Sequence, residues 1–174
     1  MGNLERFKID LKGLIDELTT FDFRLEDDYF ETLGATEVKG GSLDTTLEVK
    51  KTAGVYDLRF DIVGDVVVTC DICLDDLSLP VDTSSRIEVR LGDSYDDEGE
   101  MMVVPADEGI VDVAWLIYEQ IVLALPTRHV HEEGGCNPDM LSRIEQMAPQ
   151  TGGEESAVDP RWSELEKLKS TIKE

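Results

Sequence analysis

This chain is short of basic charge. Its 174 residues carry 16 Lys and Arg against 39 Asp and Glu, a formal net charge of −23. Proteins that grip nucleic acid neutralise phosphates with clustered Lys and Arg and so release counterions. The longest basic cluster, Lys167, Lys169 and Lys173, is scattered among glutamates. The charge therefore argues against extensive direct binding to bare RNA or an anionic membrane. It favours a basic protein partner, whose encounter it would speed. Long hydrophobic runs are also missing, and nothing approaches the roughly 20 apolar residues that span a bilayer. The start, Met1-Gly2-Asn3-Leu4-Glu5-Arg6, has no apolar signal core, and Arg6 stands where a myristoylation site wants Ser or Thr. Three cysteines do not make a disulfide framework. The expectation is a soluble cytoplasmic protein.

Catalytic signatures are absent as well. The sequence contains no Gly-x-x-x-x-Gly-Lys-Ser/Thr, no Gly-x-Gly-x-x-Gly and no Gly-x-Ser-x-Gly. Both histidines, His129 and His131, share one segment, which leaves few candidates for imidazole acid–base chemistry. The acidic run of Asp93, Asp96, Asp97, Glu98 and Glu100 invites a calcium loop. Glutamate at 98 occupies the glycine position of that loop, so the run reads as a solvated surface or a docking site for a basic partner. No catalytic residue is assigned, and the chain is not expected to be an enzyme.

What is present is alternation. Period-2 patterns predict strands at 7–11, 46–51, 55–62, 65–69, 77–81 and 86–91, with short strands at 103–104 and 110–112. Residues 14–18 read as a short turn or helix, 21–33 as an extended piece and a short helix, and Gly40-Gly41 as a turn. Asp112 caps a helix over 113–125, with Val113, Leu116, Ile117, Ile121, Ala124 and Leu125 on one face, and Pro126 ends it. The fold class expected is α+β: a curled antiparallel sheet or small β-barrel with a long packing helix and a C-terminal helix. A β-rich domain covers 1–145, a flexible linker 146–158, and a helix 159–174 opened by Asp159-Pro160. The apolar stripe of that helix, Trp162, Leu165, Leu168 and Ile172, either packs on its own domain or docks on a partner.

All the cysteines belong to one pattern. Cys70-Asp71-Ile72-Cys73 lies at a strand end, and Cys136, with His131 or His129, lies far downstream. Thiolates and imidazole suit zinc, a borderline-soft cation with no geometric preference of its own. A structural zinc on Cys70, Cys73, His131 and Cys136 would contribute on the order of 10 kcal/mol to folding. The competing reading is metal-free: the cysteines pack as small strand-end residues and the histidines sit on a surface loop. A thioredoxin-like role lacks a surrounding βαβ pattern, and a catalytic zinc lacks His-Glu-x-x-His.

Three segments in order carry a resemblance. They are Val68-Thr69-Cys70-Asp71-Ile72-Cys73-Leu74, then Val111-Asp112 leading into Glu119-Gln120-Ile121-Val122-Leu123-Ala124-Leu125-Pro126, then Val130-His131 and Cys136. Together they resemble the YceD family of large ribosomal RNA subunit accumulation proteins. Asp159-Pro160-Arg161-Trp162, with Leu165 and Leu168, is similar to that family's tail helix, so the likeness spans about residues 65–169. The resemblance implies a role in accumulation or processing of large-subunit ribosomal RNA in bacteria. Relatives often place further cysteines after the Leu-Pro segment, where this chain has His131 and Cys136, a swap of metal ligands that zinc permits. Ile72 stands where relatives often carry a basic residue. The expectation is a noncatalytic ribosome-biogenesis factor acting on a ribosomal protein or assembly factor. The alternative is a zinc-dependent or thiol-redox enzyme using the same cluster.

Overall fold

A computed structural model describes residues 4–96 and 101–147 of the chain. Two units divide it, Met1–Leu141 and Ser142–Glu174. Residues 148–158 of the expected linker, and the expected helix at 159–174 with Trp162, Leu165, Leu168 and Ile172, lie outside the described residues.

In the first unit a 3-10 turn (Leu4–Phe7) leads into β1 (Lys8–Asp10), β2 (Leu18–Leu25), α1 (Asp27–Leu33), β3 (Gly40–Thr52), β4 (Val55–Thr69), β5 (Asp76–Gly92), β6 (Met102–Pro105), β7 (Ile110–Asp112) and α2 (Val113–Ala124). A further helix, α3 (Pro138–Met147), crosses the boundary between the units and buries no side chain. β2 to β5 form an antiparallel meander and β6 joins β5 in parallel, in the order β2-β3-β4-β5-β6. β1 pairs antiparallel with β7, which runs straight into α2. Asp112 caps α2, its carboxylate accepting from the Ala114 N–H at 3.0 Å, as expected.

Alternation places the core. Tyr56, Leu58, Phe60, Ile62, Val66 and Val68 of β4 all point to one side and are buried with Leu43 and Leu47 of β3. Phe7, Tyr29 and Phe30, and Ile117 and Ile121 of α2, complete the same cluster. The Tyr29 hydroxyl donates to the Ala114 carbonyl at 2.6 Å, tying α1 to α2.

The α+β class holds, but the sheet is not closed into a barrel. Among the described residues β2 and β6 are its edges, and helices join the core cluster on its buried face. Several expected boundaries move because glycines and short polar runs lie inside strands. Residues 55–62 and 65–69 are one strand running through Gly64, whose Cβ would strike the Ser42 carbonyl and the Leu43 Cα of β3. Residues 77–81 and 86–91 are likewise one strand, continuing across the polar residues 82–85. It runs through Pro80 as expected, opposite Asp65 and outside the four residues that β6 covers, where a missing donor is tolerated. Gly40-Gly41 is not a turn but the start of β3, with a Cβ on Gly41 only 2.6 Å from the Asp65 carbonyl. The real turn is Ala53-Gly54, with φ of 50° and 87°, the left-handed pair that a two-residue hairpin needs. Residues 14–15 have no regular structure, 16–17 form a bend, and Leu18 opens β2. On α2 the buried stripe includes Ala114 and Tyr118, while Ala124 is exposed and Leu125 half-buried. Both unexpected positions carry hydrogen bonds: Ala114 accepts from Tyr29, and the Tyr118 oxygen accepts from the Glu37 N–H at 3.3 Å.

Candidate metal centre

The β4–β5 ladder ends at the pair Thr69 and Asp76, and residues 70–75 close the hairpin. The Cys70 N–H donates to the Asp75 carbonyl at 2.9 Å and the Leu74 N–H to the Cys70 carbonyl at 3.0 Å. Leu74 takes φ of 63°, the left-handed conformation that turns the chain back. Cys70 keeps the parity of the buried face of β4, so the strand that fills the core also delivers this thiol inward. Cys73 is buried too.

The opposing wall is the loop after α2. Residues 126–137 bury no side chain, so polar contacts hold them to the hairpin. The Asp71 N–H donates to the His129 carbonyl at 2.7 Å, and the His129 N–H donates back to the Asp71 carboxylate at 2.7 Å. The Asn137 side-chain amide donates to the Asp75 carboxylate at 3.1 Å. That clamp brings Cys136 and His131 over the two knuckle cysteines.

Four ligand atoms then lie within 4.8 Å of one another. Cys70 Sγ is 3.9 Å from Cys136 Sγ, Cys73 Sγ is 3.4 Å from His131 Nδ1, and Cys136 Sγ is 3.8 Å from the same nitrogen. A disulfide needs sulfurs about 2.05 Å apart, so these are free thiols. Zinc–sulfur bonds of about 2.3 Å and zinc–nitrogen bonds of about 2.0 Å put tetrahedral ligand atoms about 3.5–3.8 Å apart, close to what is found. His131 Nε2 lies 3.1 Å from the Asp76 carbonyl, which can only accept. Nε2 therefore carries the hydrogen and Nδ1 turns a lone pair toward the sulfurs, the arrangement that orients a metal-binding imidazole.

Without a cation the charges of the cluster are in conflict. Burial is the largest influence on the Cys70 thiol and pushes it up. Hydrogen bonds from the backbone of Cys73, Ile72 and His131, and from the Cys73 side chain, outweigh it and bring the thiol down to about 6. The Cys136 thiol is pushed up to about 11, by burial first and then by its neighbours Cys70 and Cys73. His131 is raised, chiefly through its hydrogen bond with Cys70, while burial opposes the shift. One thiolate is thus favoured and the next is repelled, a conflict that a divalent cation among the donors removes.

The structure brings together all four residues that the sequence nominates, Cys70, Cys73, His131 and Cys136. His129 contributes through its backbone and Asp71 contact rather than to the cluster. Of the acidic run, Asp93 and Asp96 are described and belong to no metal-type group, while Asp97, Glu98 and Glu100 lie outside the described residues. Sequence reading passes over Asp71, Asp75, Asp76 and Asn137, which position the ligands. Asn137-Pro138 is the signal that was available. The Asn137 side chain accepts from the Asp139 N–H at 3.0 Å and starts α3 just after Cys136.

A family model described as "Large ribosomal RNA subunit accumulation protein YceD" matches residues 58–169, a span that includes the knuckle, α2 and the loop. That description names accumulation of an RNA and no reaction. No curated protein and no solved structure matches the chain. Among the described residues no helix is long and apolar enough to cross a membrane.

Proposed function

Because the chain belongs to the YceD family, we propose that it is a noncatalytic cytoplasmic factor in bacterial ribosome biogenesis, supporting accumulation or processing of large-subunit ribosomal RNA. The observation that carries this reading is the family match over residues 58–169. The factor acts through a basic protein, a ribosomal protein or an assembly factor, and not by gripping bare RNA. A net charge of −23 supports that choice, since phosphates would be repelled and a Lys- and Arg-rich surface attracted. Zinc on Cys70, Cys73, His131 and Cys136 is a structural brace between hairpin tip and loop. Four protein donors fill a tetrahedral shell and leave no open position for a substrate.

Ribosomal RNA profiling of a deletion strain tests the function. The expected result is depleted or misprocessed large-subunit RNA with the small-subunit RNA intact, and a normal profile would overturn the reading. Pull-down of the tagged protein with nuclease treatment tests the partner, which should persist after RNA is digested. Partners that disappear with the RNA would sink the protein-contact version. Elemental analysis of protein purified without a histidine tag should find one zinc per chain, and its absence would leave the cysteines as packing residues.

A further inference from the structure

α2 is apolar all round: of its 12 residues only Glu119 and Gln120 are polar. A helix of that composition is normally enclosed on every side. Here one side faces the core, while on the other Trp115 is 49% exposed and Leu123 77% exposed. Three cavities of about 380, 410 and 340 Å³ follow one another along that outer face. The first two share Trp115, and the last two share Glu37, Val122 and Leu123, so they form one track ending at Pro126 beside the metal loop. A 12-residue helix is about 18 Å long, which matches three turns of a second helix laid along it.

The rim identifies the occupant. Glu37, Glu108 and Glu119 line the track, and none of them has an ion-pair partner among the described residues. No Lys or Arg lines any of the three cavities. Apolar floor and unpaired acidic rim together fit a helix with an apolar stripe flanked by cations, and they disfavour the phosphates of RNA.

We propose that the outer face of α2, from Trp115 to Pro126, is the docking groove for a basic amphipathic helix of a protein partner. This rests on the reading that a basic protein is the partner and states where it binds. The anchor of the groove is Leu123, whose exposed side chain belongs to both the second and third cavities.

The probe is a fluorescent peptide about four helical turns long, with leucines at every third and fourth position and lysines elsewhere. Binding to the full-length protein is followed by anisotropy at low and high salt. The lysine peptide should bind, more weakly at high salt. A scrambled peptide of the same composition and a glutamate-for-lysine peptide should bind about tenfold more weakly or worse. Leu123→Glu should weaken the lysine peptide by about tenfold, while Ile15→Glu, at a residue 96% exposed that lines none of the cavities, should not. Glu119→Lys should weaken the lysine peptide and strengthen the glutamate one, a reversal that loss of folding cannot produce. Equal binding of the scrambled peptide, or indifference to Leu123→Glu, overturns the groove. A dimer in sedimentation that Leu123→Glu splits assigns the face to a second copy and overturns the proposal, as does competition by a ribosomal RNA fragment. Complementation separates this from the functional reading. If deletion disturbs ribosomal RNA and Leu123→Glu restores it fully, the groove fails alone. If the peptide results hold and deletion leaves the RNA unchanged, the functional reading fails and the groove stands.

Discussion

The β4–β5 hairpin is held differently in its body and at its tip. Along the body, Leu58, Phe60, Ile62, Val66 and Val68 are all buried in one apolar cluster with α1 and α2. At the tip the same parity supplies Cys70, and the facing loop, residues 126–137, buries nothing. Three polar clamps join that loop to the hairpin, from Asp71, His129 and Asn137. At about 1 kcal/mol each they do not offset ordering twelve or so residues at about 1–2 kcal/mol apiece. A metal held by four donors contributes on the order of 10 kcal/mol, which is the right size. Burial organises the body of the hairpin, and in the proposed reading ligation organises its tip.

The largest expected effect comes from removing that ligation. Chelation, or Cys73→Ser, should forfeit metal binding worth on the order of 10 kcal/mol. Because the body has its own core, the loss should be confined to the tip. Hydrogen exchange should speed up in residues 70–75 and 126–137 and stay slow at Phe60 and Leu47. If the middle of β4 loses protection at the same rate, the hairpin is one cooperative unit and the two-part description is wrong.

Next in size is a cavity in the body. Phe60 is fully buried, and Phe60→Ala should cost about 3–5 kcal/mol, read from the urea midpoint. The folded fraction should keep its full complement of metal, since Phe60 is no ligand and sits in the middle of β4, opposite Leu47, away from the strand's end at Thr69. Metal release well before global unfolding would show that the core tensions the tip, and would blur the boundary between them.

How far each region could be read from sequence follows from what holds it. The body was legible through its period-2 pattern, and even the fusion of two strands was countable, because every even position from Tyr56 to Cys70 keeps step across Gly64. Gly64 masked it by its usual role as a breaker, which fails where a neighbouring backbone lies too close for a Cβ. Whether the sheet closes was not legible, since it depends on what covers its edges. The tip was legible for the opposite reason: soft donors are so few that the cysteines name the cluster. The choice of His131 over His129 came from the family likeness and not from spacing, because it turns on the Asp76 carbonyl, a backbone atom without a residue signature. α3 escaped because it buries nothing, which left only Asn137-Pro138 to announce it.

The smallest effect separates the regions by pH. The buried Tyr29 hydroxyl donates to Ala114 at 2.6 Å, and its phenol is held well above the usual value, by burial first and then by the charge of Asp112. The folded chain therefore keeps this proton at pH values where the unfolded chain, with a tyrosine pKa of about 10, has begun to lose it. Above about pH 10 the native state binds more protons than the unfolded one, so stability falls as pH rises and is intact below that point. Tyr29→Phe should cost about 1 kcal/mol at neutral pH through the lost hydrogen bond, and it should flatten this alkaline decline. Donors bound to a metal have no such proton to release, so a tip that holds zinc as proposed should keep it while the body weakens. Following the melting midpoint and the bound metal together across the alkaline range checks this. A decline in the Tyr29→Phe protein as steep as in the parent would move the alkaline sensitivity away from α1 and α2, and simultaneous loss of zinc would move it to the tip.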